Sequence, residues 1–319
     1  MEKYKVGMAF SKPFRGNSPL AHIGVKLPVY IKLLALCVAK GWEAYVLTKK
    51  TYKGEGIFEG SWKFVNDKFE KIKAPVKINL VYDRCAGIKF PPEGDNSTVW
   101  INKRDFKMLC WDKWLAYKEI GKFMPKTFWV ERQEDLTGVL AKVKTDWVVL
   151  KPYNGLKGLG VFIGPRKKAQ EFKFAKKFKR YIAQEFVDTK GGILGITKGL
   201  HDLRVAIVNG KAVWSHVRVP LSGSYLANAA AGGILTEVDY SLVPKSIKKV
   251  VEEVSQKFYK KYDDPSYSID FGVGADGLPK IFEINDQIGF PKWEMRQKDA
   301  FLEGLVYNFE RKLYDRKRS

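Results

Sequence analysis

Two strand-like runs near the carboxyl terminus place acidic side chains where a buried strand normally carries apolar ones. The runs "YSIDFGV" and "PKIFEIN" are rich in β-branched and aromatic residues, and "ADG" between them is a turn signal. A turn centred on Asp276-Gly277 predicts an antiparallel pair in which Asp270 lies opposite Glu283. Strand alternation puts Asn285 on the same face as Glu283. Unpaired buried carboxylates are costly, so we expect a positive charge between them.

The rest of the chain predicts a succession of α/β units. The first unit would contain the strand "KYKVGMAF", the helix "LPVYIKLLALCVAKG" and the strands "WEAYVLT" and "VKINLVYDR", before "FPPEGDNS" breaks the pattern. Further on we predict the helix "WDKWLAYKEIGKF", the strands "MPKTFWV", "TDWVVLKPY", "VFIGP" and "RYIAQEFVD", and a hairpin that turns at Asn209-Gly210. Because 319 residues are many for a single core, we expect domains at residues 1–95, 96–184 and 185–319.

The charge balance favours an anionic partner. The chain has 57 Lys and Arg against 35 Asp and Glu, a net charge of +22, which suits a nucleotide, an acidic substrate or a nucleic acid. In the most basic segment, 166–180, Phe172, Ala175 and Phe178 predict an amphipathic helix with a solvated lysine face, and the alternative is an anion-binding surface. No RNP, zinc-finger or helix-turn-helix signature is present, so we do not expect nucleic acid as the main partner.

The sequence predicts a soluble, cytoplasmic protein that does not interact with a membrane. The opening "MEKYKVGMAFSK" resembles a first strand rather than a signal peptide, and no run approaches the roughly 18 apolar residues that cross a bilayer. Cys37, Cys85 and Cys110 are far apart and odd in number, which argues against a disulfide framework and a CxxC metal site.

The stretch "LKPYNGLKGLGVFI" is a candidate phosphate-binding loop. Lys151 ends a strand, and Gly155, Gly158 and Gly160 follow before the chain returns to β structure. Glycines let backbone N–H groups approach a phosphate closely. The Walker A pattern is absent, and a plain glycine-rich hairpin would also explain the stretch.

Two further stretches carry candidate side chains. In "AQEFVD", Glu185 is either a solvated strand-end acid or part of an edge that binds adenine and ribose. In "SHVRVPLSGSYLANAAAGG", Arg218 would suit stabilisation of a transferring phosphoryl group, and the alternative is a surface salt bridge. His201 and His216 lack metal-like spacing, so we expect structural or solvated roles for them.

The order of these motifs resembles the ATP-grasp superfamily over residues of about 100 to 315. A lysine before a helix, a strand-end KP with a glycine-rich loop, EFV, DxR, an arginine and asparagine, and D…ExN fall in the family's order. The resemblance is closest to RimK-type glutamate ligases and glutathione-synthetase-like members. It implies an α+β ATP-grasp fold, in which two subdomains grip ATP, preceded by a Rossmann-like α/β domain.

The resemblance also implies roles for individual residues. The residues that would bind ATP, including the glycine loop, the adenine hinge and the ribose or substrate side, are Lys113, Lys151, Gly155, Lys157, Gly158, Gly160, Glu185, Phe186, Val187, Asp202 and Arg204. The residues that would face the γ-phosphate and the reaction intermediate are Arg218 and Asn228. The residues that would bind one or two Mg²⁺ ions, or Mn²⁺ in their place, are Asp270, Glu283 and Asn285. Lys107 is an alternative to Lys113 at a different spacing.

The implied activity is an ATP-dependent carboxylate–amine ligase that forms an amide through an acyl phosphate. Its partners would be small-molecule or peptide acids and amines, including acidic ones, and an oligomer is compatible with the sequence. The alternatives are an ATP-grasp kinase for a highly anionic small molecule and, less favoured, a nucleic-acid-binding protein.

Three segments would set specificity or access. "EINDQIGFP" departs from the Pro-Gly turn that often follows ExN in the family, and "TKGGILGITKG" would be a lid. Specificity would come from "SPLAHIGVKLP" and "VYDRCAGIKF", where Arg84 either pairs with a substrate carboxylate or forms a structural ion pair.

Overall fold

A seven-stranded sheet forms the amino-terminal part of the chain. The structure is a computed structural model, and it describes residues 3–12, 14, 16, 18–156, 158–225, 227 and 232–318, without the side chains of 316–318. The strands of this sheet are β1 (Lys5–Phe10), β2 (Glu43–Thr48), β3 (Tyr52–Gly54), β4 (Ile57–Val65), β5 (Lys68–Lys77), β6 (Leu80–Arg84) and β7 (Val99–Ile101). β1 is parallel to β2 and β6 on either side, and β7 is parallel to β6. β4 pairs antiparallel with β2, and also with β3 and β5. The parallel strands therefore end at one edge, where ligands commonly bind in α/β sheets.

Helix α1 (Leu27–Ala39) covers this sheet and follows a short 3-10 helix, Ala21–Lys26. By length and composition alone, the stretch Ala21–Ala39 is apolar enough to cross a membrane, so the expectation that no run approaches such a span is wrong. In the structure, Leu33 and Leu34 of α1 are buried in the core formed with β1, β2 and β6. The helix thus has a buried face of the kind that a core helix needs.

A four-stranded antiparallel sheet forms the middle of the chain, in the order β10-β9-β11-β8. Its strands are β8 (Thr127–Val130), β9 (Trp147–Pro152), β10 (Phe162–Pro165) and β11 (Tyr181–Glu185). The helices before and around it are α2 (Arg104–Trp111), α3 (Lys113–Ile120), α4 (Leu136–Leu140) and α5 (Arg166–Ala169). Asp112 begins α3, because its side chain accepts hydrogen bonds from the backbone N–H groups of Trp114 and Leu115 at 2.8 and 3.0 Å.

A five-stranded antiparallel sheet forms the carboxyl-terminal part, in the order β14-β13-β12-β15-β16. Its strands are β12 (Asp202–Val208), β13 (Lys211–Val219), β14 (Ile234–Glu237), β15 (Tyr267–Val273) and β16 (Pro279–Asn285), and its helices are α6 (Lys245–Lys261) and α7 (Lys298–Arg318). The predicted turn between β12 and β13 is confirmed, since Asn209 and Gly210 both have positive φ, 54° and 68°.

The amino- and carboxyl-terminal sheets share a hydrophobic core, whereas the middle sheet has its own. One core combines α1, β1, β2 and β6 with residues of β12, β13 and α7, including Trp214 and Phe309. The other face of the carboxyl-terminal sheet packs with α2, α3 and α6. The middle sheet has a separate core around Val148 and Tyr181.

The predicted amphipathic helix in the basic segment is wrong. Only Arg166–Ala169 is helical, and the chain then continues through turns and irregular structure to β11. The reason is that Phe172 and Phe174 pack on Tyr181, the latter stacked at a ring-centroid distance of 4.0 Å. Gln133 also binds the backbone of Phe172 and Phe174 through its amide, at 2.9 and 2.8 Å, which an α-helix there would not allow.

Candidate active site

The β15–β16 pair has the register that its turn predicts. Asp270 and Glu283 are cross-strand partners, and Ser268 lies opposite Asn285. Asp270 is buried, and its Oδ2 accepts a hydrogen bond from Asn285 Nδ2 at 3.4 Å. The Asn285 amide oxygen is therefore turned away from Asp270. The structure thus brings together the two carboxylates and the amide that the sequence predicted to converge.

Two arginines provide the positive charge that was expected beside the buried acids. Arg204 holds Asp270 through two hydrogen bonds of 2.6 Å, because β12 places it directly opposite Asp270 on β15. Arg218 on β13 lies opposite Asp202 on β12 and donates to its carboxylate at 2.6 and 2.8 Å. The Arg218 guanidinium also donates to Asp270 at 2.9 Å. Bidentate pairs of this kind are the strong form of charge-assisted hydrogen bond.

Two lysines join this cluster to the middle sheet. Lys113 Nζ lies 2.9 Å from Glu283 Oε1 and 2.8 Å from the carbonyl oxygen of Gly155. Lys151 Nζ donates to Gln184 Oε1 at 3.0 Å and to the carbonyl of Phe282 at 3.3 Å. Burial, and then the positive charge of Lys113, lowers the pKa of Lys151 to about 8. Both lysines thus lie where the two sheets meet.

Lys107, the alternative to Lys113, has a different position. Its ammonium group pairs with the buried Asp83 carboxylate and donates to the carbonyls of Cys85 and Phe90 at 3.0 and 2.8 Å. These contacts anchor α2 to the amino-terminal sheet. The geometry therefore favours Lys113 as the lysine beside Glu283.

The glycine-rich loop connects β9 to β10. Gly158 and Gly160 have φ of 75° and 76°, a conformation that side chains other than glycine rarely adopt. A methyl group on Gly160 would lie 2.9 Å from the Tyr181 hydroxyl. Lys157 lies outside the described residues, as does Asn228.

The predicted hinge lies at the end of β11. Glu185, Phe186 and Val187 line a cavity of about 730 Å³ with Lys126 and Lys280. Neither Lys113 nor Lys151 lines that cavity. The roles of the hinge residues toward adenine, and of Asp202 toward ribose, remain predictions, and Asp202 itself lies against Arg218.

The donor set at β15–β16 fits a hard divalent cation. Asp270 and Glu283 offer carboxylate oxygens, and Asn285 has an amide oxygen that does not bind Asp270. Burial alone would raise the pKa of Asp270, but Arg204 and Arg218 hold that pKa well below its usual range. Within the described part of the chain, no group of three or more His, Cys, Asp or Glu side chains is arranged to hold a metal ion. The predicted set uses two carboxylates and an amide instead.

Sequence reasoning did not single out Gln184, which holds Lys151 and donates to the Thr127 hydroxyl at 2.8 Å. The alternation in "YIAQEFV" could have indicated it, since a buried polar residue next to Glu185 on a strand needs a partner.

His201 is structural as expected, because it binds the Gly199 carbonyl and the Val273 N–H group.

Comparisons with known proteins agree with this geometry. Residues 113–261 match the model of the prokaryotic glutathione synthetase ATP-grasp domain. A protein of Psychromonas ingrahamii named "Probable alpha-L-glutamate ligase" is 25% identical over 217 residues, 67% of this chain and 65% of that protein. The chain therefore aligns with slightly less than two thirds of that relative's length. The "Probable alpha-L-glutamate ligase 1" of Shewanella sp. (strain MR-4) is 24% identical over 90% of this chain and 92% of its own length.

The fold has close structural neighbours. D-alanyl-alanine synthetase A from Vibrio cholerae superposes with a TM-score of 0.67 at 14% identity, covering 98% of this chain and 99% of that one. The predicted ATP-grasp fold, with its mixed α and β content, is confirmed. Residues 113–261 thus match an ATP-grasp domain, and the chain is similar in sequence to proteins named alpha-L-glutamate ligase and in fold to D-alanyl-alanine synthetase A.

Proposed function

We propose that the protein is an ATP-dependent carboxylate–amine ligase. The observation that carries the proposal is the convergence of Asp270, Glu283 and Asn285 with Arg204 and Arg218 at the junction of two sheets. Such a cluster suits the binding and transfer of a phosphoryl group, because fixed positive charges face the place where negative charge develops. Related proteins named alpha-L-glutamate ligase and glutathione synthetase support this assignment.

The chain's own residues would mainly position and stabilise charge. The substrate carboxylate attacks the γ-phosphorus of ATP, the bond to the β–γ bridging oxygen breaks, and an acyl phosphate and ADP form. The amine then attacks the acyl carbon, loses a proton and expels phosphate. Lys113 and Lys151 would hold the phosphates, and Arg218 would stabilise the transferring group. One or two Mg²⁺ ions, held by Asp270, Glu283 and Asn285, would neutralise phosphate charge when bound.

The substrates are an acid and an amine, each a small molecule or a peptide. We place the reaction in the cytoplasm, where ATP is available and thiols stay reduced. The free, buried state of Cys37, Cys85 and Cys110 is consistent with that compartment.

The test measures nucleotide products from γ-labelled ATP and Mg²⁺ with a pooled library of amino acids, peptides and phosphorylated metabolites. ADP and free phosphate that depend on both an acid and an amine would support the ligase. Label in a stable phosphorylated product would mean a kinase and overturn the proposal, as would no ADP across a wide set of acids and amines. Glu283→Ala should abolish turnover while sparing the fold, and full activity in that variant would refute the metal assignment.

A further inference from the structure

Arg84 lies at the junction between the amino-terminal sheet and the loop that follows β16. It ends β6, and its Nη2 donates to the carbonyl of Ile288 at 2.8 Å. Its guanidinium lies over the ring of Phe290 at 5.2 Å, and Phe290 in turn stacks on Tyr30 at 4.0 Å. The guanidinium is thus held flat and rigid at the carboxyl edge of the parallel strands, where α/β sheets bind ligands.

No acid contacts Arg84 directly among the described residues, although the nearby carboxylate of Asp286 acts on its charge. Its Nε is buried without a hydrogen-bond partner, and Arg84 forms no ion pair within 4 Å among the residues that the structure describes. Its hydrogen-bond partners are neutral, namely the hydroxyl groups of Tyr82 and Tyr30 and the backbone carbonyl of Ile288. A buried guanidinium with an unused donor is costly unless an anion satisfies it.

Lys26 adds a second positive charge nearby, since it lies one helical turn before Tyr30, whose ring stacks on the Phe290 ring that Arg84 covers. It ends the 3-10 helix before α1, is partly buried, and makes no hydrogen bond or ion pair with any described side chain. Burial, and then the positive charges of Arg84, Arg204 and Lys292, lower the pKa of Lys26 to about 8. Lys292 is exposed and lies 3.7 Å from Glu294. Lys26, Arg84 and Arg204 therefore lie near one another; Asp270 pairs with Arg204, Asp286 is near Arg84, and no described acid pairs with Lys26.

The loop after β16 connects these cations to the reaction site. Arg84 holds the carbonyl of Ile288, and a methyl group on the next residue, Gly289, would lie 4.0 Å from Arg204 Nη1. Arg204 uses its Nε and Nη2 to hold Asp270, so Nη1 is directed to this loop. The positive site is consequently continuous with the arginine that holds a predicted metal ligand.

We propose that Lys26, Arg84 and Arg204 Nη1 bind an anionic group of a substrate, a carboxylate or a phosphate, in addition to the carboxylate that is activated. This inference rests on the proposed ligase function and assigns one substrate to the class of multiply charged anions. The two segments that were predicted to set specificity, 18–28 and 81–90, supply Lys26 and Arg84. Neutralising a buried cluster of like charges gives such a ligand its affinity and its selectivity over neutral analogues.

Lys26→Met is the sharpest test, because it removes a charge that has no hydrogen-bond or ion-pair partner among the residues that the structure describes. Without a ligand, this variant should melt roughly 2–4 °C higher than the wild type, since charge repulsion is relieved. The wild type should be stabilised by glutarate or by inorganic phosphate, and not by butyramide at equal ionic strength. In Lys26→Met the dissociation constant of the stabilising probe should rise at least about tenfold. Lys50→Met, at an exposed lysine, is the matched control and should change neither quantity.

The outcomes separate this inference from the ligase assignment, because the probes bind without ATP. A stronger response to glutarate identifies a dicarboxylate, and a stronger response to phosphate identifies a phosphorylated substrate. The inference is overturned if neither probe stabilises the wild type, or if Lys26→Met melts lower and keeps wild-type affinity. Arg84→Met provides a second test. If this variant folds, it should lose affinity for the probe that stabilises the wild type; if it does not fold, the test rests on Lys26→Met.

Discussion

Asp270 is buried and Asp202 largely buried in the same cluster of arginines, yet their pKa values shift in opposite directions. Burial, and then the negative charge of Asp270, raises the pKa of Asp202 to about 6, although Arg218 opposes the change. Asp270 has two arginines, Arg204 and Arg218, which outweigh the effect of its burial and lower its pKa. The residue that is predicted to bind metal is thus the one that stays ionised at all ordinary pH values.

Lys107 and Lys113 should respond differently to the same substitution. Lys107→Met leaves the fully buried Asp83 carboxylate unpaired, and we expect a loss of about 3–5 kcal/mol in the free energy of unfolding. Lys113→Met leaves Glu283, whose side chain is 30% exposed, so stability should change less while ATP binding is lost. Urea unfolding and ATP titration of both variants measure the difference. Equal destabilisation, or normal ATP affinity in Lys113→Met, would contradict the assignment.

The pKa of Lys151 predicts a pH dependence of ATP binding. Its folded-state pKa of about 8 lies below the unfolded value of 10.5, so between these values the folded protein binds fewer protons. The free energy of unfolding should therefore rise with pH across that window. ATP is an anion and favours the protonated lysine, so its affinity should fall as pH rises through about 8. Titrations at several pH values should show this fall in the wild type, and a Lys151→Gln variant with the same slope would contradict it.

At the scale of elements, the loop between β9 and β10 depends on a backbone conformation that favours glycine. Gly160→Ala would force a side chain into the left-handed region, at about 1–2 kcal/mol, and press it against Tyr181 and Phe178. We expect a lower melting temperature together with weaker ATP binding. Gly138→Ala on α4 is the control, because no described atom outside its chain neighbours and its own helix backbone lies within 4 Å of the added methyl group, and alanine is the better helix former. A Gly160→Ala variant with wild-type ATP affinity would argue against a phosphate loop.

At the scale of the whole molecule, the first and last parts of the chain share one core. Phe309 of α7 is fully buried and contacts Tyr82 of β6 at a ring-centroid distance of 5.4 Å. Phe309→Ala should cost about 3–5 kcal/mol and lower hydrogen-exchange protection in the amino- and carboxyl-terminal sheets together. Val148→Ala should instead loosen the middle sheet, whose core is separate. Loss of protection in only one terminal sheet in Phe309→Ala would contradict a shared core.

Local patterns predicted most of the strands, helices α1 and α3 and the Asn209-Gly210 turn, but not α2, α4 or α7. They also missed the β4–β5 hairpin, although alternation on both sides of Asn66 and Asp67, which have positive φ, could have indicated it. The basic segment follows a helical spacing, but aromatic packing on Tyr181 outweighs that local preference. The boundaries of the three proposed domains remain predictions.

The sequence by itself determined the Asp270–Glu283 pairing, because a turn and a period of two act over fewer than twenty residues. Motif order likewise indicated the superfamily. Only the tertiary structure decided that Lys107 holds Asp83, and that the loop held by Arg84 lies beside Arg204. These residues lie on different elements far apart in the chain, and no local period encodes contacts that form only when the sheets, helices and loops pack together.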